Sequence, residues 1–369
     1  MERPALKIGV VTGGGDCPGL NAVIRAVTRA AIYQHGWTVV GIPDAFGGLL
    51  SDNPSVIPLN MHTIRGILPQ GGTILGTSNR ADPFRFPIDG KDGNTDYADK
   101  SHLLKARLDE YGIDAIIMIG GDGTMRIAKR LKGMGIAVVG VPKTIDNDLY
   151  ATDITFGHDS ACNIAMEAID RLHTTAYSHH RVMICEVMGR DAGWLALQSG
   201  VSGGADVILL PEIPYHDDFI LESLAMRQKQ QRQFSIIVVA EGAKAIDGQH
   251  SVVGQGHDAP RYGGIAHQLE QTLAPHLKQE IRAVVLGHLQ RGGSPTHFDR
   301  VLGTRYGEFA IQQVNQQQFG TMVALRDGEI IGVTLEEATK KIKCITPSTN
   351  QLVATARNLG IHFGDRIDT

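Results

Sequence analysis

The sequence predicts an α/β protein with mainly parallel sheets, divided into two domains. Short runs rich in valine and isoleucine recur along the chain, and most are apolar throughout, as strands buried on both faces are. Amphipathic stretches of helical length lie between several of these runs, which is the pattern of right-handed βαβ units. The length of 369 residues is too great for one ordinary core and suits two, at roughly 150 residues per domain.

Each element is predicted from its local pattern. The predicted strands are residues 7–12, 39–44, 115–119, 136–141, 181–187, 207–210, 235–240 and 282–286. A helix is predicted over residues 21–34, because its apolar side chains fall on one stripe and Gly36 follows its end. Residues 87–100 are polar and rich in turn formers, which predicts an exposed loop. Together these elements predict two Rossmann-like domains, each with a sheet between two layers of helices.

Composition excludes several classes of partner. The chain has 35 Lys+Arg against 39 Asp+Glu, a formal charge of -4, and no basic block, so nucleic acid is not expected to bind. No apolar run approaches the roughly 20 residues that a membrane helix needs. The four cysteines lie far apart and are expected to be reduced thiols. The first residues lack the pattern of a signal peptide, which predicts a cytosolic protein.

Glycines cluster where the predicted strands end. Of the 44 glycines, Gly13, Gly14 and Gly15 follow one apolar run, Gly120, Gly121 and Gly123 follow a second, and Gly189 and Gly193 follow a third. Ligands of open parallel sheets bind beyond the carboxyl ends of the strands, and glycine lets a ligand approach the backbone closely. These turns are therefore the first candidates for a binding site.

The turn at residues 119–124, IGGDGT, predicts a phosphate site. It follows an apolar strand and opens a helix, whose free amides and dipole attract anions. Asp122 is placed to hold a magnesium ion that a phosphate brings. The alternative is that Asp122 or Thr124 merely caps the helix. The turn is not a Walker A loop, because the GK[ST] ending is missing.

The segment PKTIDND, residues 142–148, predicts a catalytic turn after another apolar strand. Asp146 can accept the proton of a hydroxyl that attacks phosphorus, and Lys143 can offset the negative charge that develops. A turn held by Asx hydrogen bonds explains the same residues equally well. Having this turn and the glycine turn at the ends of neighbouring strands favours the catalytic interpretation.

Arginines at the ends of apolar strands predict a phosphate monoester as ligand. The residues are Arg181, Arg190, Arg282 and Arg291. A guanidinium group grips phosphate oxygens in a bidentate fork, although a single arginine is usually a solvated surface residue. Glu241 ends another strand and can accept hydrogen bonds from sugar hydroxyls, or it is simply a carboxylate at a strand end.

An ordered set of motifs resembles the phosphofructokinase family, which transfers a phosphoryl group to the 1-hydroxyl of fructose 6-phosphate. The motifs are TGGGDCPGLNAVIR, GGTILGTSNR, IGGDGT, PKTIDND, EVMGRDAGW, VVAEG and LGHLQRGGSPTHFDR, and they cover nearly the whole chain. The resemblance implies an active site in the cleft between two domains. It assigns residues 1–157 plus 290–340 to the nucleotide domain, and residues 158–289 plus 341–369 to the sugar-phosphate domain.

The resemblance also implies a role for each candidate residue. The catalytic set would be Asp146 as base, Thr144 and Asp148 as organisers of the transition state, and Arg190 as stabiliser of the transferring group. The nucleotide set would be Gly14, Arg80, Gly121, Gly123 and Thr124, with Asp122 as the partner of Mg²⁺. The sugar-phosphate set would be Met188, Gly189, Glu241, His288 and Arg291, completed by Arg181 and Arg282 from a neighbouring subunit. A homo-oligomer, dimer or tetramer, is therefore expected.

Two residues bear on the phosphoryl donor. Members that use pyrophosphate resemble GGDD with PKTIDND, whereas many ATP-dependent bacterial members carry GGDG with PGTIDND. Here Gly123 matches the ATP pattern and Lys143 the other. A carboxylate at position 123 would crowd and repel nucleotide phosphates, so its absence favours a glycolytic, ATP-dependent 6-phosphofructokinase. Use of pyrophosphate is the alternative, and a non-catalytic regulatory subunit that binds sugar phosphate or nucleotide is a more distant one.

Overall fold

A computed structural model describes residues 5–89, 94–255 and 260–366. The chain forms two compact units. The first unit comprises Met1–Thr144, Leu149–Asp159 and Arg291–Ile342, and the second comprises Ile145–Asp148, Ser160–Gln290 and Lys343–Thr369. The sequence prediction places residues 145–148 in the first domain, whereas in the structure they group with the second unit.

The described ranges contain strands and helices in alternation. The strands are β1 (Lys7–Thr12), β2 (Thr38–Ile42), β3 (Ile57–Leu59), β4 (Phe86–Asp89), β5 (Thr95–Ala98), β6 (Ala115–Gly120), β7 (Val138–Pro142), β8 (Val182–Val187), β9 (Val207–Leu209), β10 (Ser235–Ala240), β11 (Val252–Gln255), β12 (Pro260–Tyr262), β13 (Ile281–Val285), β14 (Thr321–Arg326) and β15 (Glu329–Thr334). The α-helices are α1 (Leu20–His35), α2 (Gly47–Leu50), α3 (Ser101–Glu110), α4 (Asp122–Gly133), α5 (His158–His179), α6 (Trp194–Ser202), α7 (Asp217–Lys229), α8 (Ile265–Leu273), α9 (His297–Asn315), α10 (Leu335–Ala338) and α11 (Gln351–Asn358). Short 3-10 helices form at Ala274–His276 and Gly287–Arg291.

The first unit is built on a seven-stranded sheet with the order β15-β14-β7-β6-β1-β2-β3. Its pairs from β2 to β14 are parallel, and the edge strands β3 and β15 run antiparallel to their neighbours. Alternate side chains of a strand point to opposite faces. Val11 and Met118 pack into a core with α3 and α4, which leaves the other face of the sheet to α9 and its neighbour α1.

The second unit is built on a four-stranded sheet with the order β13-β8-β10-β9, in which every pair is parallel. Strands β8 and β10 are buried along their whole length, as central strands between two helical layers must be. Helices α7 and α8 share a core with one face, and α6 packs against β9 and β10. The predicted fold class, an α/β fold with mainly parallel sheets, is confirmed.

The predicted loop at residues 87–100 is wrong in part. Strands β4 and β5 pair there as an antiparallel hairpin, and residues 90–93 lie outside the described residues. The sequence prediction also missed β3, β11, β12, β14 and β15. Strand β15 is a partly exposed edge strand, and its exposed positions leave no continuous apolar run.

Two observations concern the cysteines and membrane-spanning helices. The four cysteines are free thiols. Within the ranges that the structure describes, no helix is both long and apolar enough to span a membrane.

Candidate active site

The carboxyl ends of β1, β6 and β7 lie side by side in the sheet of the first unit. The Gly13 amide donates to the Ile119 carbonyl at 2.9 Å, and the Lys143 amide donates to the Gly120 carbonyl at 3.0 Å. The three predicted turns after these strands are therefore joined by backbone hydrogen bonds. Because parallel strands end at one edge, this edge gathers the predicted phosphate residues of the first unit.

Packing against neighbouring atoms requires glycine at one position of the turn IGGDGT but not at another. A Cβ atom added to Gly120 would lie 2.2 Å from the Thr124 Oγ1, so the fold itself requires glycine there. A Cβ atom added to Gly123 would meet no atom of the described residues within 4 Å. Packing therefore does not explain glycine at position 123, and the open space beside it is available to a ligand.

Helix α4 begins at the carboxylate of Asp122, and within the described residues its first turn has no side-chain cap. Gly121 occupies the N-cap position, and no side chain of the described residues caps the helix there, so neither Asp122 nor Thr124 plays the capping role considered above. The Asp122 Oδ2 pairs with the Arg126 Nε at 2.7 Å. The sequence analysis missed Arg126, although its i,i+4 spacing from Asp122 is the usual signal for such a pair.

The turn after β1 carries the other predicted phosphate contacts. Gly14 has a φ of 77°, its amide donates to the Ser78 carbonyl at 3.2 Å, and Ser78 Oγ accepts from the amide of the exposed Arg80 at 3.0 Å. Gly14 and the backbone of Arg80 are thus both hydrogen-bonded to Ser78. The buried Lys143 donates from its Nζ to the Gly15 carbonyl.

Two further predicted residues pack around these turns. The Arg291 Nη1 donates to the Asp16 carbonyl at 3.1 Å, so this predicted sugar-phosphate residue lies against the turn after β1. Thr144 is buried, and its carbonyl accepts from the Thr155 Oγ1 at 2.7 Å. Both contacts hold backbone next to the predicted donor residues.

In the second unit, the turn after β8 presents Arg190 to solvent. Gly189 has a φ of 140° and Arg190 a φ of 52°, a left-handed conformation that is rare for arginine. The Arg190 amide donates to the Glu241 Oε1 at 3.0 Å. A Cβ atom on Gly242 would lie 1.8 Å from the Arg190 carbonyl oxygen, so glycine is required to let the two turns meet. Strain at a single arginine is typical of functional turns.

The predicted base and the predicted acceptor of sugar hydroxyls influence each other. Asp146 is 5% exposed, and the exposed Arg190 turn holds Glu241 close by. Burial raises the pKa of Glu241 to about 7, and the negative charge of Asp146 is the second cause. The structure therefore brings together Asp146, Glu241 and the Arg190 turn in one unit, with the half-buried Asp148 two residues beyond Asp146.

The raised pKa of Glu241 predicts how stability changes with pH. The folded chain holds the Glu241 proton more tightly than the unfolded chain, whose ordinary pKa is 4.5. This group therefore lowers the free energy of unfolding as the pH rises from about 4.5 to about 7, by up to about 3 kcal/mol. We expect Glu241→Gln to raise the thermal unfolding midpoint relative to the wild type at pH 8.5 but not at pH 4.5. An equal difference at both pH values would contradict it.

The 3-10 helix Gly287–Arg291 reaches Met188. The Met188 amide donates to the Gln290 Oε1 at 3.3 Å, and the Gln290 Nε2 donates to the Gly287 carbonyl at 3.0 Å. His288 is exposed on the same short helix. Gln290, which is fully buried, was missed by the sequence analysis because a glutamine between two candidate residues carries no signal by itself.

Arg181 and Arg282 lie near the amino-terminal ends of β8 and β13, whereas Met188 follows the carboxyl end of β8. Both pair with Glu280, and the Arg282 Nη1 lies 3.7 Å from the Glu270 Oε1. Arg181 precedes β8 and Met188 follows it, so the six-residue strand separates them by about 20 Å. Arg181 and Arg282 therefore do not lie beside Arg190 within the second unit.

The fold and these two groups of side chains fit an α/β enzyme that transfers phosphoryl groups, with the glycine turn predicted for phosphate in one unit and the carboxylates Asp146 and Glu241 in the other. The chain belongs to the phosphofructokinase family, whose model, described as phosphofructokinase, matches residues 7–314. The resemblance inferred from the motifs is thereby confirmed.

Its relatives include proteins named for either donor. The chain is 48% identical to ATP-dependent 6-phosphofructokinase 2 of Clostridium perfringens, over 99% of this chain and 100% of that protein. It is 49% identical to a pyrophosphate–fructose 6-phosphate 1-phosphotransferase of Amycolatopsis mediterranei, over 92% of this chain and 96% of that protein.

Solved structures show the same fold. Phosphofructokinase from Saccharomyces cerevisiae matches with a TM-score of 0.78 and 29% identity over 96% of this chain, which spans 47% of the yeast chain's length. A pyrophosphate-dependent phosphofructokinase from Marinobacter aquaeolei matches with a TM-score of 0.78 and 20% identity, over 98% of this chain and 94% of that one. At that identity the second likeness concerns the fold alone.

Proposed function

We propose that this protein is an ATP-dependent 6-phosphofructokinase, which transfers the γ-phosphoryl group of ATP to the 1-hydroxyl of fructose 6-phosphate in glycolysis. The observation that supports ATP is the open space at Gly123, at the first turn of α4, where packing does not demand glycine. A nucleotide phosphate can approach this backbone, whereas a carboxylate would repel it. The cytoplasmic location expected from the sequence forms part of this proposal.

The first unit supplies the residues for the donor. Gly14, Arg80, Gly121, Gly123 and Thr124 are assigned to the nucleotide phosphates. Mg²⁺ commonly takes one or two carboxylates together with substrate phosphates, and the described residues hold no cluster of three or more metal-binding side chains. Asp122, a single accessible carboxylate at a helix start, fits this pattern and would hold the ion, which would neutralise charge on the phosphates.

The second unit, together with Thr144 and Arg291 of the first unit, supplies the residues for the acceptor. Asp146 takes the proton of the 1-hydroxyl while the oxygen of that hydroxyl forms a bond to the γ-phosphorus of ATP. The bond between the γ-phosphorus and the β,γ-bridging oxygen breaks, which releases ADP. Thr144 and Asp148 orient this turn, and Arg190 offsets charge on the transferring group. Glu241 accepts hydrogen bonds from the sugar, and Met188, Gly189, His288 and Arg291 complete the contacts with it.

Arg181 and Arg282 are assigned to the sugar phosphate of a neighbouring subunit. They lie near the amino-terminal ends of β8 and β13, whereas Met188 and Glu241 follow the carboxyl ends of their strands. We therefore do not assign them to the sugar phosphate bound by their own unit. Both are accessible enough to reach a partner, since their side chains are 27% and 54% exposed. The protein is accordingly proposed to act as a homo-oligomer.

A side-by-side assay of donors tests the proposed function. Purified protein is given fructose 6-phosphate and magnesium with either ATP or pyrophosphate, and formation of fructose 1,6-bisphosphate is followed. We expect turnover with ATP and little with pyrophosphate. Binding of fructose 6-phosphate without turnover of either donor would instead indicate a regulatory subunit.

The pyrophosphate-dependent reaction is the second candidate. Its support is Lys143, which is buried and bonded to the Gly15 carbonyl in the donor turn, where a small diphosphate would gain a cation. Preference for pyrophosphate in the donor assay would replace ATP in the proposal and leave the acceptor chemistry unchanged.

A further inference from the structure

Three consecutive residues near the end of the chain each bond to a different turn of the second unit. Lys343 contacts the turn that carries Asp146, Cys344 contacts the turn that carries Arg190, and the Ile345 amide donates to the Glu212 Oε1 at 2.9 Å. The strut, defined as Lys343–Ile345, takes no part in the roles assigned above.

Lys343 holds the Asp146 turn at two points. Its amide donates to the Asp148 carbonyl at 2.8 Å, and its Nζ donates to the Asn147 Oδ1 at 2.9 Å. Asn147 is buried with a φ of 52°. This left-handed conformation costs free energy and persists only where the surrounding structure holds it. A hydrogen bond from an ammonium group is about twice as strong as a neutral one, so Lys343 stabilises this strained residue between the two aspartates.

Trp194 fixes Lys343 in turn. The Trp194 Nε1 donates to the Lys343 carbonyl at 2.8 Å, and the Lys343 Nζ lies 5.5 Å from the centre of the indole ring. Trp194 begins α6, and the Gly193 amide before it donates to Glu212, the same carboxylate that accepts from Ile345. Burial raises the pKa of Glu212, and the backbone amides that bond to it oppose this effect.

The strut also reaches the Arg190 turn. The Cys344 Sγ lies 3.6 Å from the carbonyl oxygen of Asp191, the residue after Arg190. The Tyr262 hydroxyl donates to the Asp191 Oδ1 at 3.0 Å. One short segment is thus bonded to the turn of the proposed base and to the turn of the proposed phosphoryl-stabilising arginine.

We propose that Lys343 is a positioning residue for phosphoryl transfer: through Asn147 and the strut it fixes the Asp146 turn relative to the Arg190 turn. This inference rests on the proposed function. A displacement of reacting groups by about 1 Å can lower a rate 100-fold. Lys343 thus supports turnover rather than affinity for the sugar phosphate.

The test compares kcat and KM in two variants of Lys343 and one control. In Lys343→Met, which keeps the length of the side chain and loses the ammonium, we expect kcat to fall roughly 10- to 100-fold, with KM for fructose 6-phosphate within about twofold of the wild type. Lys343→Arg keeps the positive charge, and its kcat should lie between that of the wild type and that of Lys343→Met. Lys341→Met is the matched control, because the Lys341 Nζ lies 4.9 Å from the Tyr150 ring centre, a similar contact on the first unit.

The outcomes separate this inference from the proposed function. Unchanged kcat in Lys343→Met overturns the positioning role alone, and so does an equal loss in the Lys341→Met control. A loss in Lys343→Met that Lys343→Arg does not relieve, accompanied by a matching drop in the thermal unfolding midpoint of both variants, shows a structural role and also overturns it. A wild type without turnover for either donor overturns the proposed function, and the inference with it.

Discussion

Replacing Asp146 with asparagine is expected to lower kcat with ATP and fructose 6-phosphate by roughly 10³- to 10⁴-fold, the upper part of the range for a general base. Asparagine keeps the shape of the side chain and its ability to accept hydrogen bonds, but it does not take the proton of the 1-hydroxyl. Because Asp146 is 5% exposed, solvent does not readily replace it as a proton acceptor.

The affinity for the sugar phosphate is expected to survive this change. Met188, Glu241 and Arg291 are assigned to hold the sugar, and Asp146→Asn replaces none of them, although it removes the negative charge that helps to raise the pKa of Glu241. Steady-state kinetics should therefore show a loss in kcat with KM for fructose 6-phosphate changed by less than about threefold, the pattern of an interaction made only in the transition state. Glu241→Gln is the contrasting variant, in which KM should rise more than kcat falls. Near wild-type turnover in Asp146→Asn would show that another group is the base.

Replacing Gly123 with aspartate is expected to lower kcat/KM for ATP by roughly 10²- to 10³-fold, because a carboxylate facing phosphates costs several kcal/mol. A Cβ atom at position 123 would meet no atom of the described residues within 4 Å, so packing around the backbone does not oppose a side chain there. An acidic residue in the first turn of α4 also interacts favourably with the helix dipole. Loss of ATP use in a protein with unchanged thermal stability would then reflect the donor site.

Gly133→Asp provides a matched control for this substitution. Gly133 belongs to the same helix, and a Cβ atom there likewise meets no described atom within 4 Å, but it lies at the last turn. We expect this control to keep wild-type kcat/KM for ATP, with a small loss of stability because an acidic group opposes the dipole at that end. Equal ATP kinetics in Gly123→Asp and Gly133→Asp would remove the argument for ATP at position 123.

The strands that carry the candidate residues were predictable because burial on both faces leaves a continuous apolar run. Strands β1 and β10 match their predicted bounds, and β6 is one residue longer than predicted. The hairpin of β4 and β5 was not predictable, because its residues are partly exposed and its stability comes from pairing between segments. The same reasoning explains why the antiparallel pair of β14 and the edge strand β15 was missed.

The sequence by itself determined the fold class, the glycine turns at strand ends and the residue types of a phosphoryl-transfer site, since these depend on local periodicity and on short motifs. Only the tertiary structure decided that Gly120 serves packing while Gly123 faces open space, and that Arg181 and Arg282 lie near the amino-terminal ends of their strands, away from Met188. It also revealed Lys343, about 200 residues after Asn147 along the chain. Contacts of this kind depend on which distant segments fold together, and no local pattern records them.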